Sequence, residues 1–188
     1  MIKPRDLEEL SDKSIMQKVK FGDVDKMAVL YERYKKPLFA YIFRIIENRE
    51  QSEDLVQTVF YRMLKYRKQY RGEGKFTTWM FGIAHNLIAD TFRKKRNILV
   101  SDEVLESKQK ETQADANFTI EKKEGIQTLR LSLRKLDFEK REALILSRFH
   151  GLKYREIADI LNINENSVKQ RVFRAIEDLR QIYFELAN

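Results

Sequence analysis

Apolar residues recur three and four positions apart along almost the whole chain. The residues that would interrupt this rhythm are rare, with 6 glycines and 2 prolines among 188 positions. Such spacing gathers apolar side chains on one helical face, whereas a strand needs alternation. The pattern predicts an all-α protein, and no strand pair or internal repeat is legible.

Met27, Leu30, Tyr31 and Tyr34 share one face of a helix expected over residues 25–35. Pro37 is expected to open a second helix running to Ile46, because proline suits a first turn and disrupts an interior. Asn48 can cap a third helix, and Glu50, Glu53 and Asp54 suit its positive dipole end. That helix carries Leu55, Val56, Val59, Phe60, Met63 and Leu64 on its core face. Asp54, Gln57, Thr58, Tyr61 and Lys65 lie opposite. The segment YRGEGKF, residues 70–76, is expected as a loop. A long helix follows over residues 78–96, closing on the basic run Arg93, Lys94, Lys95, Arg96.

The composition then shifts. Residues 101–124 hold seven acidic and four basic side chains, a net of −3 in a chain of net charge +8. Large apolar residues are sparse there, which predicts a linker. The expected organisation is two small helical domains, residues 1–97 and 125–188, joined by a linker over 98–124. In the C-terminal part, one helix is expected over residues 126–136, and a second holds Ala143, Leu144, Leu146 and Phe149 and ends at Gly151.

Residues 152–180 carry a helix-turn-helix pattern. Ile157, Ala158 and Leu161 form the inner face of a short helix, with small Ala158 at the expected crossing. Asn162 stands where a left-handed backbone is required, and asparagine is the best choice after glycine. Asn164 can cap the next helix, whose stripe is Val168, Val172, Ile176 and Leu179. Its other face carries Asn166, Ser167, Gln170, Phe173, Arg174 and Glu177, flanked by Lys169 and Arg171. Gln and Arg can bridge base edges, Lys and Ser can hold phosphates, and Phe can pack on thymine methyls. Lys153 takes a position where the first helix favours Ser or Thr, a missing cap costing roughly 1 kcal/mol.

The basic balance favours a polyanionic partner. With no cysteine, disulfide and thiolate chemistry are excluded, and His85 and His150 stand in no metal-ligand motif. No cofactor is expected. The first residues lack the apolar core of a secretory signal, and the longest apolar run, residues 38–43, is too short to span a membrane, so a cytoplasmic location without membrane insertion is expected.

The segments SEDLVQTVFYRMLKY (52–66) and YRGEGKFTTWMFGIAHNLIADTFRKKR (70–96) resemble region 2 of sigma-70 family factors of the extracytoplasmic-function (ECF) class. LRKLDFEKREALILSRFHGLKYREIADILNINENSVKQRVFRAIEDLR (133–180) resembles region 4. The resemblance implies a factor that binds core RNA polymerase through its β′ clamp helices and β flap, directs it to promoter DNA and helps melt that DNA. It implies Asp54, Gln57 and Thr58 as polymerase-facing residues. For the minus-ten element it implies Tyr70 beside a flipped base and Asn86 in its pocket; Lys75, Arg93, Lys94, Lys95 and Arg96 can supply cations along an opened strand, and Trp79, which starts the apolar face, is expected as core support. Ser167, Lys169, Gln170, Arg171, Phe173 and Arg174 fall to the minus-thirty-five element. It also implies a possible anti-sigma factor, a linker threading the active-site cleft, and a chain too short for the large extra regions of housekeeping factors.

Two other classes remain for comparison. A dimeric helix-turn-helix regulator with a helical sensor domain would leave the polar stripe at Asp54 and the aromatic loop unexplained. An enzyme would need a phosphate-binding glycine loop, a metal cluster or a nucleophile–base pairing, and the sequence offers none.

Overall fold

The computed structural model describes residues 10–101 and 120–187, side chains excepted at 94–101 and 120–123. Among the described residues every regular element is helical: α1 (Asp12–Lys20), α2 (Met27–Ile46), α3 (Arg49–Lys65), α4 (Phe76–Ser101), α5 (Ile120–Lys135), α6 (Phe138–Arg148), α7 (Tyr154–Leu161) and α8 (Glu165–Ala187). Single 3-10 turns at Val24–Lys26 and Arg67–Gln69 complete them. The chain divides into an N-terminal unit of α1–α4 and a C-terminal unit carried chiefly by α5, α6 and α8, with α7 leading into α8. None of the described helices is long and apolar enough to cross a membrane.

In the N-terminal unit, α2 packs on α3 and α3 on α4. Leu30, Leu38, Tyr41 and Ile42 of α2, Val59 and Met63 of α3, and Met80, Ala84 and Ile88 of α4 are wholly buried. The Tyr41 and Phe81 rings meet edge-on at 5.1 Å. The two helices expected on either side of Pro37 are one helix. Interrupting it at Pro37 would break the line of Leu30, Leu38, Tyr41, Ile42 and Ile45, each side chain worth about 1.5–3 kcal/mol when buried. That sum exceeds the ~3 kcal/mol of an interior proline. The connection from α2 to α3 is only Glu47 and Asn48. Glu47 adopts φ 58°, and the Asn48 side chain accepts a hydrogen bond from the Gln51 amide at 2.8 Å, as the sequence predicts for the cap.

Helix α1 was not foreseen in the periodicity. Ser11 caps it by accepting from the Ser14 amide at 3.2 Å, and Ile15, Met16 and Val19 are fully buried. Arg33 of α2 grips its start, reaching the Asp12 carboxylate at 2.7 Å and the Leu10 carbonyl at 3.0 Å. The Tyr34 hydroxyl donates to the same carboxylate.

In the C-terminal unit, Leu133 and Leu136 of α5, Ala143, Leu144, Ile145 and Leu146 of α6, and Val168, Val172 and Ala175 of α8 are buried. Phe149, expected within this helix, is its C-cap and is 44% exposed, because α6 ends at Arg148 and the chain turns toward Gly151 at φ 62°. Helix α5 begins at Ile120, inside the stretch expected as linker, and residues 102–119 of that stretch lie outside the described residues.

The turn between α7 and α8 follows its sequence chemistry. Asn162 has φ 52°, and the Asn164 side chain accepts from the Ser167 amide at 2.8 Å. The missing hydroxyl at Lys153 is partly offset: its backbone N–H donates to the Glu156 carboxylate at 2.8 Å. This is the returning half of a capping box, made without the forward half.

Candidate functional site

Three surfaces carry the residues singled out by sequence. The first is the outer face of α3. Burying Leu55, Val56, Val59, Phe60 and Met63 forces the intervening positions outward. Asp54 and Gln57 are exposed, and Thr58, one turn beyond Asp54, is half-buried with its hydroxyl donating to the Asp54 carbonyl at 2.8 Å. Tyr61 continues the stripe at 62% exposure. A strip of this kind, polar with one large aromatic, is suited to docking a protein partner.

The second surface is the loop before α4. Gly72 and Gly74 both adopt positive φ, 72° and 70°, and let the chain fold back on itself. The folded loop tucks Tyr70 inward. A ring offered freely for stacking would be exposed, whereas Tyr70 is 2% exposed, 5.0 Å from the Trp79 ring and 6.5 Å from that of Phe76. The apolar surface of these two rings, placed by the first turn of α4, draws it in. Burial, then the charge of Asp12, pushes the Tyr70 phenol up from its ordinary value. Its buried hydroxyl has no hydrogen-bond partner.

Helix α1 holds this loop from below. The Lys20 ammonium donates to the Tyr70 carbonyl at 2.7 Å, and Gln17 and Lys13 lie against Gly72. Next to Tyr70 an open cleft of about 310 Å³ is bounded by Gln69, Arg71, Gly72, Glu73 and Trp79. Lys75 and Asn86 are exposed, and Arg93 is exposed in an ion pair with Asp90 at 2.7 Å. The helix backbone continues through Lys94, Lys95 and Arg96, whose side chains lie outside the described residues.

The third surface is α8. With Val168, Val172 and Ala175 buried, Lys169, Gln170, Phe173 and Arg174 are exposed, Phe173 at 61%. Ser167 sits in the first turn, half-buried. Arg171 does not join them. Its guanidinium is 2.7 Å from the Glu139 carboxylate of α6, and its side chain is only 28% exposed. Two turns on, Asp178 accepts from Lys140 of α6 at 2.7 Å, and Asp137 lies 3.2 Å from the same ammonium. The Asp178 hydrogen bond, then that of Asp137, holds Lys140 above the usual lysine value.

Sequence reasoning missed α1 and the Glu139–Arg171 and Lys140–Asp178 pairs. Ser11 followed by Ile15, Met16 and Val19 was a usable signal for the helix. The two ion pairs join residues far apart in the chain, and only the packing of α6 on α8 reveals them.

Known proteins share both halves. Residues 30–98 match the family model described as Sigma-70 region 2, and residues 126–179 match that described as Sigma-70, region 4. The ECF RNA polymerase sigma factor SigW of Bacillus subtilis is 28% identical over 185 residues, covering 92% of this chain and 97% of that one. RNA polymerase sigma factor SigZ of the same organism is 29% identical over 153 residues, 81% of this chain and 84% of its own. Among solved structures, the sigma factor RpoE in complex with the anti-sigma factor NepR, from Bartonella quintana, has the same fold, with a TM-score of 0.70 at 23% identity over 82% of this chain and 94% of that one. With both regions present in order, the chain belongs to the sigma-70 family of RNA polymerase sigma factors, in its ECF class.

Proposed function

We propose that promoter recognition is divided between the two units of this sigma factor. Helix α3 presents Asp54, Gln57 and Thr58 to the clamp helices of the polymerase β′ subunit. The loop before α4, with Lys75, Asn86 and the basic end of that helix, engages the opened minus-ten strand. Helix α8 enters the minus-thirty-five element while its unit docks on the β flap. The chain works by binding and positioning, makes and breaks no bonds itself, and acts in the cytoplasm alongside core polymerase.

The observation that carries this reading is the exposed face of α8. Phe173 has no packing role at 61% exposure, and it stands among Lys169, Gln170 and Arg174 on a capped helix that follows a left-handed turn. An apolar ring among cationic and amide side chains suits a major groove, where thymine methyls lie beside phosphates and base edges. For the minus-ten strand, the support is the cleft beside Tyr70. A base entering there would meet the Trp79 side of the loop, and Tyr70 would have to turn outward to stack on it. An anti-sigma factor such as the one bound to RpoE would act here by covering the same α3 and α8 faces.

The test is polymerase capture measured beside run-off transcription. Asp54→Lys should lose capture. Arg174→Ala should capture polymerase normally and lose about 1–3 kcal/mol of binding only on promoters that need the minus-thirty-five element. Equal transcription by Arg174→Ala on promoters with and without that element, or normal capture by Asp54→Lys, would overturn the assignment.

A further inference from the structure

The pairing of Arg171 with Glu139, 2.7 Å apart, has a mirror two turns along α8, where Asp178 meets Lys140 at the same distance. Residues 171 and 178 are seven apart, so they lie on the same edge of α8. Their partners are neighbours at the start of α6. The polarity is opposed: α6 offers an acid then a base, and α8 offers a base then an acid. Sliding α8 by two turns along α6 would set Glu139 against Asp178, a like-charge contact. The apolar stripe of Val168, Val172 and Ala175 holds α8 by volume and shape, and the order of charges adds a contact that favours one register over its neighbours.

We propose that Arg171 is a positioning residue: paired with Glu139, it fixes the register and rotation of α8 so that Gln170, Phe173 and Arg174 meet the minus-thirty-five bases, and it does not itself contact the DNA. The proposal rests on α8 being the helix that reads that element. It also gives Glu139 an unexpected sign. An acid beside a DNA-binding face ordinarily repels phosphate, so removing it should tighten binding. Here its removal should loosen binding.

The experiment measures holoenzyme affinity for duplex promoters with a matched or a scrambled minus-thirty-five element, over a range of salt. The variants are Glu139→Gln, Arg171→Gln, the double variant, the exchanged pair Glu139→Arg with Arg171→Glu, and Arg174→Ala as a control. Helix content by circular dichroism verifies folding. Each single Gln variant should weaken binding to the matched promoter by roughly two- to fivefold, the range of partly exposed ion pairs. The double variant should lose no more than either, and the exchanged pair should recover most of the loss. The salt slope of Arg171→Gln should equal that of the wild type. A slope shallower by about 0.9, or tighter binding by Glu139→Gln, would make Arg171 a phosphate contact and end the proposal. If Arg174→Ala weakens matched binding while Glu139→Gln does not, only the positioning role falls. If Arg174→Ala is also without effect, α8 does not read the element, and both readings fall.

Discussion

The ammonium of Lys20 donates a hydrogen bond to the carbonyl of Tyr70 at 2.7 Å, across 50 residues of chain. It ties the first described helix to the loop that carries the minus-ten candidates. Lys20→Met keeps the length and apolar stem of the side chain and removes the donor. The loss in unfolding free energy should be about 1 kcal/mol, below the range for a fully buried charge-assisted bond because the site is only partly buried. Amide exchange across residues 70–75 should quicken while that in α3 stays slow. Unchanged exchange in the loop would show that Lys20 does not anchor it.

Tyr70 separates two contributions of one side chain. Its ring is buried against Trp79, but its hydroxyl is buried without a partner. Tyr70→Phe should therefore be neutral or stabilising by up to about 1 kcal/mol, since an unsatisfied group is removed. Tyr70→Ala should cost about 3 kcal/mol or more by emptying the aromatic cluster. Transcription by Tyr70→Ala then mixes folding with any loss of stacking, whereas Tyr70→Phe keeps the ring and isolates the hydroxyl. Denaturant midpoints for the two variants decide the matter, and a clear loss in Tyr70→Phe would mean that the hydroxyl finds a partner in solution.

Two phenols, half-buried Tyr34 and buried Tyr70, make stability sensitive to alkali. Burial, then the hydrogen bond to Asp12, pushes Tyr34 well above its ordinary value of 10.0, and burial raises Tyr70 as well. Both groups hold their protons more tightly folded than unfolded. Their contribution is complete below pH 10 and falls away as the pH rises beyond it, where the unfolded chain ionises first. Urea midpoints followed from neutral pH into alkali should therefore decline less steeply for the Tyr34→Phe, Tyr70→Phe double variant than for the wild type. Parallel curves would remove these phenols as the cause.

The half-made capping box at α7 offers a gain. Glu156 already accepts from the Lys153 amide, and only the forward bond from a hydroxyl is missing. Lys153→Ser should raise stability by about 0.5–1 kcal/mol, and Glu156→Ala in that background should return most of it. Thermal melts of the two variants give the comparison.

How far the sequence disclosed all this depends on the range of the forces involved. Asn48, Asn162 and Asn164 were legible because capping and left-handed turns are settled within three or four residues. The faces of α3 and α8 were legible because burying one stripe exposes the other. Pro37 misled because its local cost is outweighed by Leu30, Leu38 and Tyr41, whose burial depends on distant helices. Tyr70 and Arg171 look like surface groups in their own segments. Trp79 and Glu139, brought to them by folding, turn the one inward and occupy the other. Their roles could not be separated without the packing.

The two-residue join at Glu47 and Asn48 bears on how force passes through the molecule. A left-handed residue followed at once by a capping side chain leaves almost no slack between α2 and α3. Whatever grips Asp54 and Gln57 therefore grips the bundle as well. A push on the outer face of α3 would turn α2 with it, as the shank of a key turns with its bow.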